Sequence, residues 1–376
     1  MPPEAGQAGR RSGALGVEQP PTRRGTPERR PRVPPRDRRA RFVGLVRIFS
    51  GIQPTGRKHL GNYIGAIRQY VEGQERGEPA IFCIVDLHAL SAPFDPAELR
   101  ERLYDTTAIL LAAGLDPERC ILFRQSDVYE HTELTWLLTA VTAHGDLNRM
   151  HQFKEKSAKQ RELVPAALFF YPVLMAADVL AYRATEVPVG DDQRQHVELM
   201  REIARRFNER FGETLVVPEH RIPEVGARIM DLQEPERKMS TTGATDAGTL
   251  YVLDEPEAIR KKLGSAVTDS GREIVRREDK PGVSNLIEVL AVARGIDPAE
   301  IERELEGAGY GDFKQAVAEG VVEMLAPVRE RYAELRPDQA ALEAALAAGA
   351  EKAREIAAPT VAEVRRRMGV GAPAQA

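Results

Sequence analysis

RIFSGIQPTGRKHLGNYIGA, residues Arg47 to Ala66, passes from a buried-strand run into a loop of small residues and then into a helix opening on His-Leu-Gly-Asn. Arg47, Ile48 and Phe49 end the apolar run, and Ser50, Gly51, Pro54, Thr55 and Gly56 supply backbone freedom for a turn at the strand's carboxyl end. In an open α/β sheet, ligands bind in the crevice beyond those ends, where free N–H groups of the next helix face an anion. Gly61 lets phosphate approach closely, and His59 and Asn62, three apart on one helical face, can both donate to it. The segment matches neither GxxxxGK[ST] nor GxGxxG, so alone it also fits an ordinary strand-turn-helix corner.

A second segment, ERKMSTTG at Glu236 to Gly243, sets Lys238, Met239 and Ser240 among turn formers after the strand-like GARIM of Gly226 to Met230. A mobile loop with one Lys beside small hydroxyl residues suits a triphosphate. It can close late and bring its ammonium to charge that develops as the leaving group departs. The plain alternative is a solvated turn.

Outward from these segments the chain alternates. Strand candidates are RIFS at Arg47, AIFCIVD at Ala80, CILFRQ at Cys120 and EVPVG at Glu186, with helical patterns such as LGNYIGAIRQYVEG and PAELRERLYDTTAILLAAG between them. That is the pattern of a doubly wound parallel sheet, an α/β fold. From about Glu255 the pattern becomes wholly helical, through EAIRKKLGSAV, VSNLIEVLAVARG, FKQAVAEGVVEMLAPVRERYAEL and the Ala/Glu/Arg-rich stretch to Gly369. We therefore expect residues 43–254 to form a catalytic domain and 255–376 a helical one. A length of 376 residues, 42% hydrophobic, suits two cores.

Residues 1–42 carry 11 Arg against 4 acidic residues, with 8 Pro, in a chain whose net charge is −4. Such a basic, Pro-rich stretch is expected to be disordered. It reads either as an arm for RNA phosphates or, preferred here, as a solvated extension or misplaced start, with Val46 the alternative start. Cys83 and Cys120 lie in apolar runs without metal spacing and are expected as reduced core thiols of a cytoplasmic protein. No run reaches membrane-spanning length or resembles a signal peptide, so no membrane partner is expected. His131, His144, His151, His196 and His220 form no metal cluster by spacing.

Taken together, His59-Leu60-Gly61-Asn62 and Lys238-Met239-Ser240-Thr241-Thr242 resemble the HIGH and KMSKS signatures of class I aminoacyl-tRNA synthetases, in the right order. SGIQPTG at Ser50, QFKEKSA at Gln152, YPVLMAADVLAY at Tyr171, VPVGDDQRQHVEL at Val187, RIPEVGARIM at Arg221 and KPGVSN at Lys280 narrow the resemblance to the bacterial tryptophanyl-tRNA synthetases, from about Arg47 to Gly369. The resemblance implies a Rossmann-like catalytic domain, a helical domain that meets the tRNA anticodon, and a homodimer. It implies L-tryptophan, tRNA(Trp) and ATP travelling with Mg²⁺ as partners, and no protein-bound metal.

Activation needs two anions aligned and extra charge stabilised, not a nucleophilic triad. The resemblance places ATP against Gln53, Pro54, Thr55, Gly61 and Asn62, with His59 near the phosphates and Met239, Ser240, Thr241 and Thr242 in the closing loop. Lys156 and Lys238 would be the triphosphate's cations, and Gly190, Asp191 and Asp192 would fit the ribose. Ile229 would neighbour adenine or serve as core. Tyr171, Met175 and Asp178, at spacings of four and three, share a helical face. An acid on an apolar face needs a partner, and the indole N–H would satisfy Asp178, unless the Asp pairs within the core. Phe49, Val189 and Met175 would grip the ring, with His88 and Gln193 toward the amino acid's polar end, His88 being otherwise a core histidine. One departure stands out: Thr241 occupies the position of the second KMSKS lysine, and Gly243-Ala244-Thr245 follows in place of Asp-Pro-Asn. Two other readings stay open at this point, a tyrosine-activating relative and a non-catalytic tryptophan sensor.

Overall fold

The computed structural model describes residues 47–77, 79–151, 164–188, 193–221, 228–240 and 245–372. Its sheet has five parallel strands, β1 (Ile48–Ile52), β2 (Ala80–Ile84), β3 (Ile121–Arg124), β4 (Glu186–Pro188) and β5 (Glu219–Arg221), in the order β3-β2-β1-β4-β5. Ile48 pairs with Ala80 on one side and Glu186 on the other, so the strand order reverses between β1 and β4. At such a switch point the connections leave toward opposite faces and a crevice opens at the strand ends. The four apolar runs read as strands are strands. The three-residue, largely exposed β5 was not anticipated, and of GARIM the described residues are 228–230, among which Met230 pairs in an isolated antiparallel bridge with Lys238.

Strand side chains alternate between two cores. Ile48, Ile52, Phe82, Ile84 and Leu122 face one; Phe49, Ile81, Cys83, Val85, Ile121 and Phe123 face the other. The helices are α1 (Leu60–Asn62), α2 (Arg68–Glu75), α3 (Pro96–Ala112), α4 (Glu130–Thr139), α5 (His144–Arg149), α6 (Ala166–Leu180), α7 (Arg194–Phe211), α8 (Pro256–Gly264), α9 (Pro281–Arg294), α10 (Pro298–Glu304), α11 (Tyr310–Leu335) and α12 (Gln339–Met368). A π-helical stretch, Tyr63–Ile67, joins α1 to α2, an irregularity that often accompanies functional sites.

Residues of α3, α8, α9 and α11 pack into the first core, and α4, α6 and α7 into the second. The long α12 runs against β3 and serves both, with Leu342 and Leu346 in one and Ala350, Ala353 and Ala357 in the other. Its approach is close enough that a Cβ on Gly349 would fall 1.8 Å from the Leu122 carbonyl oxygen. Arg124 at the end of β3 forks onto Glu343 of α12 at 2.9 and 3.2 Å, which fixes the helix along the strand. Residues 41–376 thus form one compact unit in which the C-terminal helices share a core with the sheet. The two cysteines are free and buried. No helix among the described residues is long and apolar enough to cross a membrane.

Candidate active site

After β1 the chain turns through Gln53–Gly56, and Gly56 takes φ 63°, a left-handed conformation that favours glycine. Lys58, not singled out by sequence, holds this loop from beneath. Its buried ammonium donates to the carbonyls of Gln53 (2.8 Å) and Thr55 (3.2 Å). Burial, reinforced by Arg102 and opposed by Asp105, lowers it to about 8. Gln53 and Thr55 are exposed and Pro54 is buried.

The next residues dock onto the segment that follows the KMSTT loop. Leu60 N–H donates to the Leu250 carbonyl (2.8 Å) and Val252 N–H to the Lys58 carbonyl (2.9 Å), an antiparallel bridge centred on His59 and Tyr251. Arg57 lies 3.8 Å over the Tyr251 ring and pairs with Asp254 at 2.9 Å, clasping the same junction from its exposed side.

His59 caps α1. Its Nδ1 accepts the Asn62 N–H (3.3 Å), while Asn62 Oδ1 accepts the His59 N–H (3.1 Å). This reciprocal cap fixes the chemistry of both side chains. With Nδ1 accepting, the neutral ring carries its proton on Nε2, and with Oδ1 accepting, Asn62 has its NH₂ left to donate. Both residues therefore offer neutral donors beyond the cap. Burial first, then Lys58 and Lys238, lower the His59 ring to about 4, so the imidazole is neutral at pH 7. An unfolded chain takes up this proton between about pH 6.5 and 4 whereas the folded one does not, so stability present above 6.5 is lost as pH falls through that window. Denaturant titrations from pH 7 to 4 should show wild type losing on the order of 3 kcal/mol more than His59→Asn, a variant that keeps a cap. Parallel losses would refute the assignment.

Gly61 faces the same ring: a Cβ there would come 3.0 Å from His59 Nδ1 and Cε1, and 3.7 Å from the Ile229 Cβ. A side chain at this position would thus crowd the cap. Ile229 is buried in the first core beside the turn. Asp231 N–H donates to the Arg237 carbonyl (2.8 Å) and Met239 N–H to the Ile229 carbonyl (2.9 Å), so Lys238 leaves a bridge anchored against Met230. The side chain of Lys238 is exposed, and the Ser240 carbonyl accepts from Thr249 Oγ1 (3.2 Å). The side chain of Met239 is buried in the first core, where it anchors the loop's stem.

On α6, Tyr171, Met175 and Asp178 do share a face, but Asp178 is satisfied by protein groups. Its Oδ1 accepts from Gln125 Nε2 (2.6 Å) and pairs with His131 Nδ1 (2.6 Å); its Oδ2 pairs with His88 Nε2 (2.8 Å). Burial alone would raise this carboxyl, yet the two histidines hold it at about 2. It is a buried anion at neutral pH. A carboxylate has about four lone-pair sites, and three are used. His88 spends Nε2 on this carboxylate, so it is a core partner of Asp178 with Nδ1 remaining. His131 Nε2 continues to the Tyr182 hydroxyl (2.7 Å), which orients the second histidine. Phe49 is buried and stacks on Tyr182 at 5.4 Å, so its ring is core. Tyr171 is buried, its hydroxyl tied to His196 Nε2 (2.8 Å) and its ring edge-on to His88; burial raises its pKa. Met175 is half-buried, and Gln193 is the half-buried N-cap of α7.

Lys156, Val189, Gly190, Asp191, Asp192, Thr241 and Thr242 lie outside the described residues. Sequence reading missed Gln125 and His131. Gln125 directly follows β3, and the rule that nominated Gln53 to Thr55 after β1 would have nominated it. His131 carried no such signal. Among the described residues no cluster of His, Cys, Asp and Glu could hold a metal ion.

The family described as class I tRNA synthetases (W and Y) matches residues 44–326. Tryptophan–tRNA ligase 1 of Streptomyces avermitilis is 49% identical over 330 residues, covering 87% of this chain and 99% of that protein. The tryptophan–tRNA ligase of Oceanobacillus iheyensis is also 49% identical, over 86% of this chain and 98% of its own length. Among solved structures, the tryptophanyl-tRNA synthetase of Mycoplasma pneumoniae superposes with a TM-score of 0.80 at 33% identity, covering 87% of this chain and 98% of that one. That of Campylobacter jejuni, solved with ADP and tryptophan, gives 0.73 at 34%, over 86% and 100%. Fold, paired signatures and relatives agree: the chain belongs to the class I tRNA synthetases for tryptophan and tyrosine, and within them to the tryptophan–tRNA ligases.

Proposed function

We propose that this chain joins L-tryptophan to ATP as tryptophanyl-adenylate, releasing pyrophosphate, and then transfers tryptophan to tRNA(Trp). The observation that carries the reading is the backbone ladder that binds the HLGN turn to residues 250–252 and stations Lys238 on the neighbouring Met230 bridge. The HLGN turn follows β1, next to the sheet's switch point, beyond which ligands of open α/β sheets bind, and Lys238 is close enough to act on the His59 ring.

In this reading MgATP enters as substrate, against Gln53, Pro54, Thr55, Gly61 and Ile229. Nε2 of His59 and the Asn62 amide donate to phosphate oxygens as neutral groups. Lys238 and Lys156 supply positive charge to the transition state, and Ser240, Thr241 and Thr242 continue the loop. Gly190, Asp191 and Asp192 take the ribose, while Val189, Met175 and Tyr171 border the indole and Gln193 faces the amino acid's polar end. The fourth lone pair of Asp178 accepts the indole N–H.

Helices 255–376 are assigned to the anticodon and residues 43–254 to catalysis. The protein works in the cytoplasm, where its two thiols stay reduced. A homodimer is supported by aromatic surface left on α4 and α6, where Trp136 is 74% and Phe170 41% exposed. Tryptophan-dependent ATP–pyrophosphate exchange, followed by charging of purified tRNA, tests the reading. Exchange driven by tyrosine, or by neither amino acid, would overturn it.

A further inference from the structure

The bridge that carries Lys238 has an unpaired side. Because the bonds of that bridge run from Asp231 N–H to Arg237 and from Met239 N–H to Ile229, Met230's own N–H and carbonyl point away from Lys238. Asn285 of α9 takes both. Its Oδ1 accepts the Met230 N–H (2.9 Å) and its Nδ2 donates to the Met230 carbonyl (3.1 Å), so one buried side-chain amide replaces a third strand.

The rest of KPGVSN seats the helix for this contact. Lys280 binds Asp269 (3.0 Å) and the Tyr310 hydroxyl (3.1 Å). Ser284 Oγ accepts the Arg277 N–H and donates to the Arg277 carbonyl, both at 3.1 Å. A Cβ on Gly282 would fall 2.1 Å from the Val267 carbonyl oxygen, so glycine alone permits the approach. The N–H of Val267 in turn holds the Leu232 carbonyl (2.7 Å), two residues beyond Met230.

We propose that Asn285 is a positioning residue for the ATP site: by clamping the Met230 backbone it holds Lys238 in register. The inference rests on the reading of Lys238 as a triphosphate cation. It places a residue of the C-terminal helical segment in the activation reaction, with no contact to substrate required. An amide is the one side chain of this length that donates and accepts in parallel. Aspartate can take the N–H but leaves the carbonyl, and alanine leaves both.

The test is pyrophosphate exchange by Asn285→Ala, Asn285→Asp, Lys238→Ala and the Asn285→Ala/Lys238→Ala double variant, with calorimetric binding of tryptophan to each. Both Asn285 variants should lower kcat by about 10- to 100-fold, the cost of an ångström-scale misplacement, while tryptophan affinity stays within about twofold. The double variant should be no slower than Lys238→Ala, because the lysine's contribution is what Asn285 secures. Multiplying effects would overturn the proposal, as would tryptophan binding that falls in step with kcat, which marks general unfolding. Should Asn285→Ala not fold, Asn285→Asp and its double variant with Lys238→Ala carry the same comparison. Full activity in Lys238→Ala would overturn the reading of Lys238 itself, separately identified because Asn285 is wild type there.

Discussion

Asp178→Asn should lower kcat/KM for tryptophan in pyrophosphate exchange by about 10³-fold or more and erase most of the preference over phenylalanine, a site built on a buried acceptor rejecting analogues that lack the donor by about 10⁴-fold. The substitution is nearly isosteric, so its effect is electronic. The carboxylate accepts from Gln125, His131 and His88 and, in the proposed complex, from the indole N–H. An amide has one acceptor atom, and its NH₂ would meet at least one of these donors head on. Because the native group is an anion held at about 2, each bond it accepts is charge-assisted. Removing that buried charge also leaves two histidines without their acceptor, which costs about 3–5 kcal/mol of stability. Stability and catalysis can be separated by pH. The folded carboxyl sits below its unfolded value of about 3.8, so its contribution is complete above that pH and is lost as pH falls through about 2. At pH 7 the variant should therefore melt lower yet remain folded at 25 °C, and ATP affinity measured on that folded protein should be near wild type. Equal losses for ATP and tryptophan would remove Asp178 from recognition.

The partners of Asp178 show where sequence reading stops. An acid on the apolar face of YPVLMAADVL has to find donors, but those donors lie 90, 53 and 47 residues away, on segments that only the sheet brings together. Sequence named the obligation and assigned it to the substrate; the fold meets three quarters of it internally. Side-chain alternation places Phe49 on the opposite face of β1 from Ile48 and Ile52, in the second core, which it shares with α6, the helix of Tyr171, Met175 and Asp178. The strands themselves were legible because four apolar runs, punctuated by Gly, Pro and polar residues, have no other way to bury both faces. β5, Glu-His-Arg at an edge, has no apolar signature to read. The strand-like end of GARIM, Met230, does pair, but with a loop lysine and the side chain of Asn285 and not with the sheet. The HLGN and KMS segments were recognisable apart, yet the ladder joining them through Leu250 and Val252 is backbone hydrogen bonding and leaves no trace in residue identity.

Lys238→Ala should slow adenylate formation by 10²- to 10³-fold, the loss typical of a single electrostatic donor, and Thr241→Ala by less than about threefold. The asymmetry follows from charge. The KMSKS pattern carries two lysines, whereas here the second position is Thr241, whose hydroxyl cannot replace a cation. The remaining lysine leaves a rigid stem: Met239 is buried in the core, Ile229 and Asp231 complete the bridge, and the Ser240 carbonyl is held by Thr249. In the proposed reaction, a cation delivered from such an anchor gives up little freedom, so the electrostatic loss is expected to concentrate on Lys238. Lys238 also contributes to keeping His59 neutral, behind burial and Lys58. Its removal should therefore raise the His59 pKa slightly, which titration of the ring resonances would detect without any turnover. Lys58 is the other cation felt by that ring, but its ammonium is spent on the carbonyls of Gln53 and Thr55, so it shapes the loop and does not stand in for Lys238. Restoring the family pattern with Thr241→Lys gives the complementary measurement: a rise in kcat, with KM for tryptophan unchanged, is expected if transition-state charge limits the reaction. Comparable losses in Lys238→Ala and Thr241→Ala would instead place the loop's contribution in its backbone.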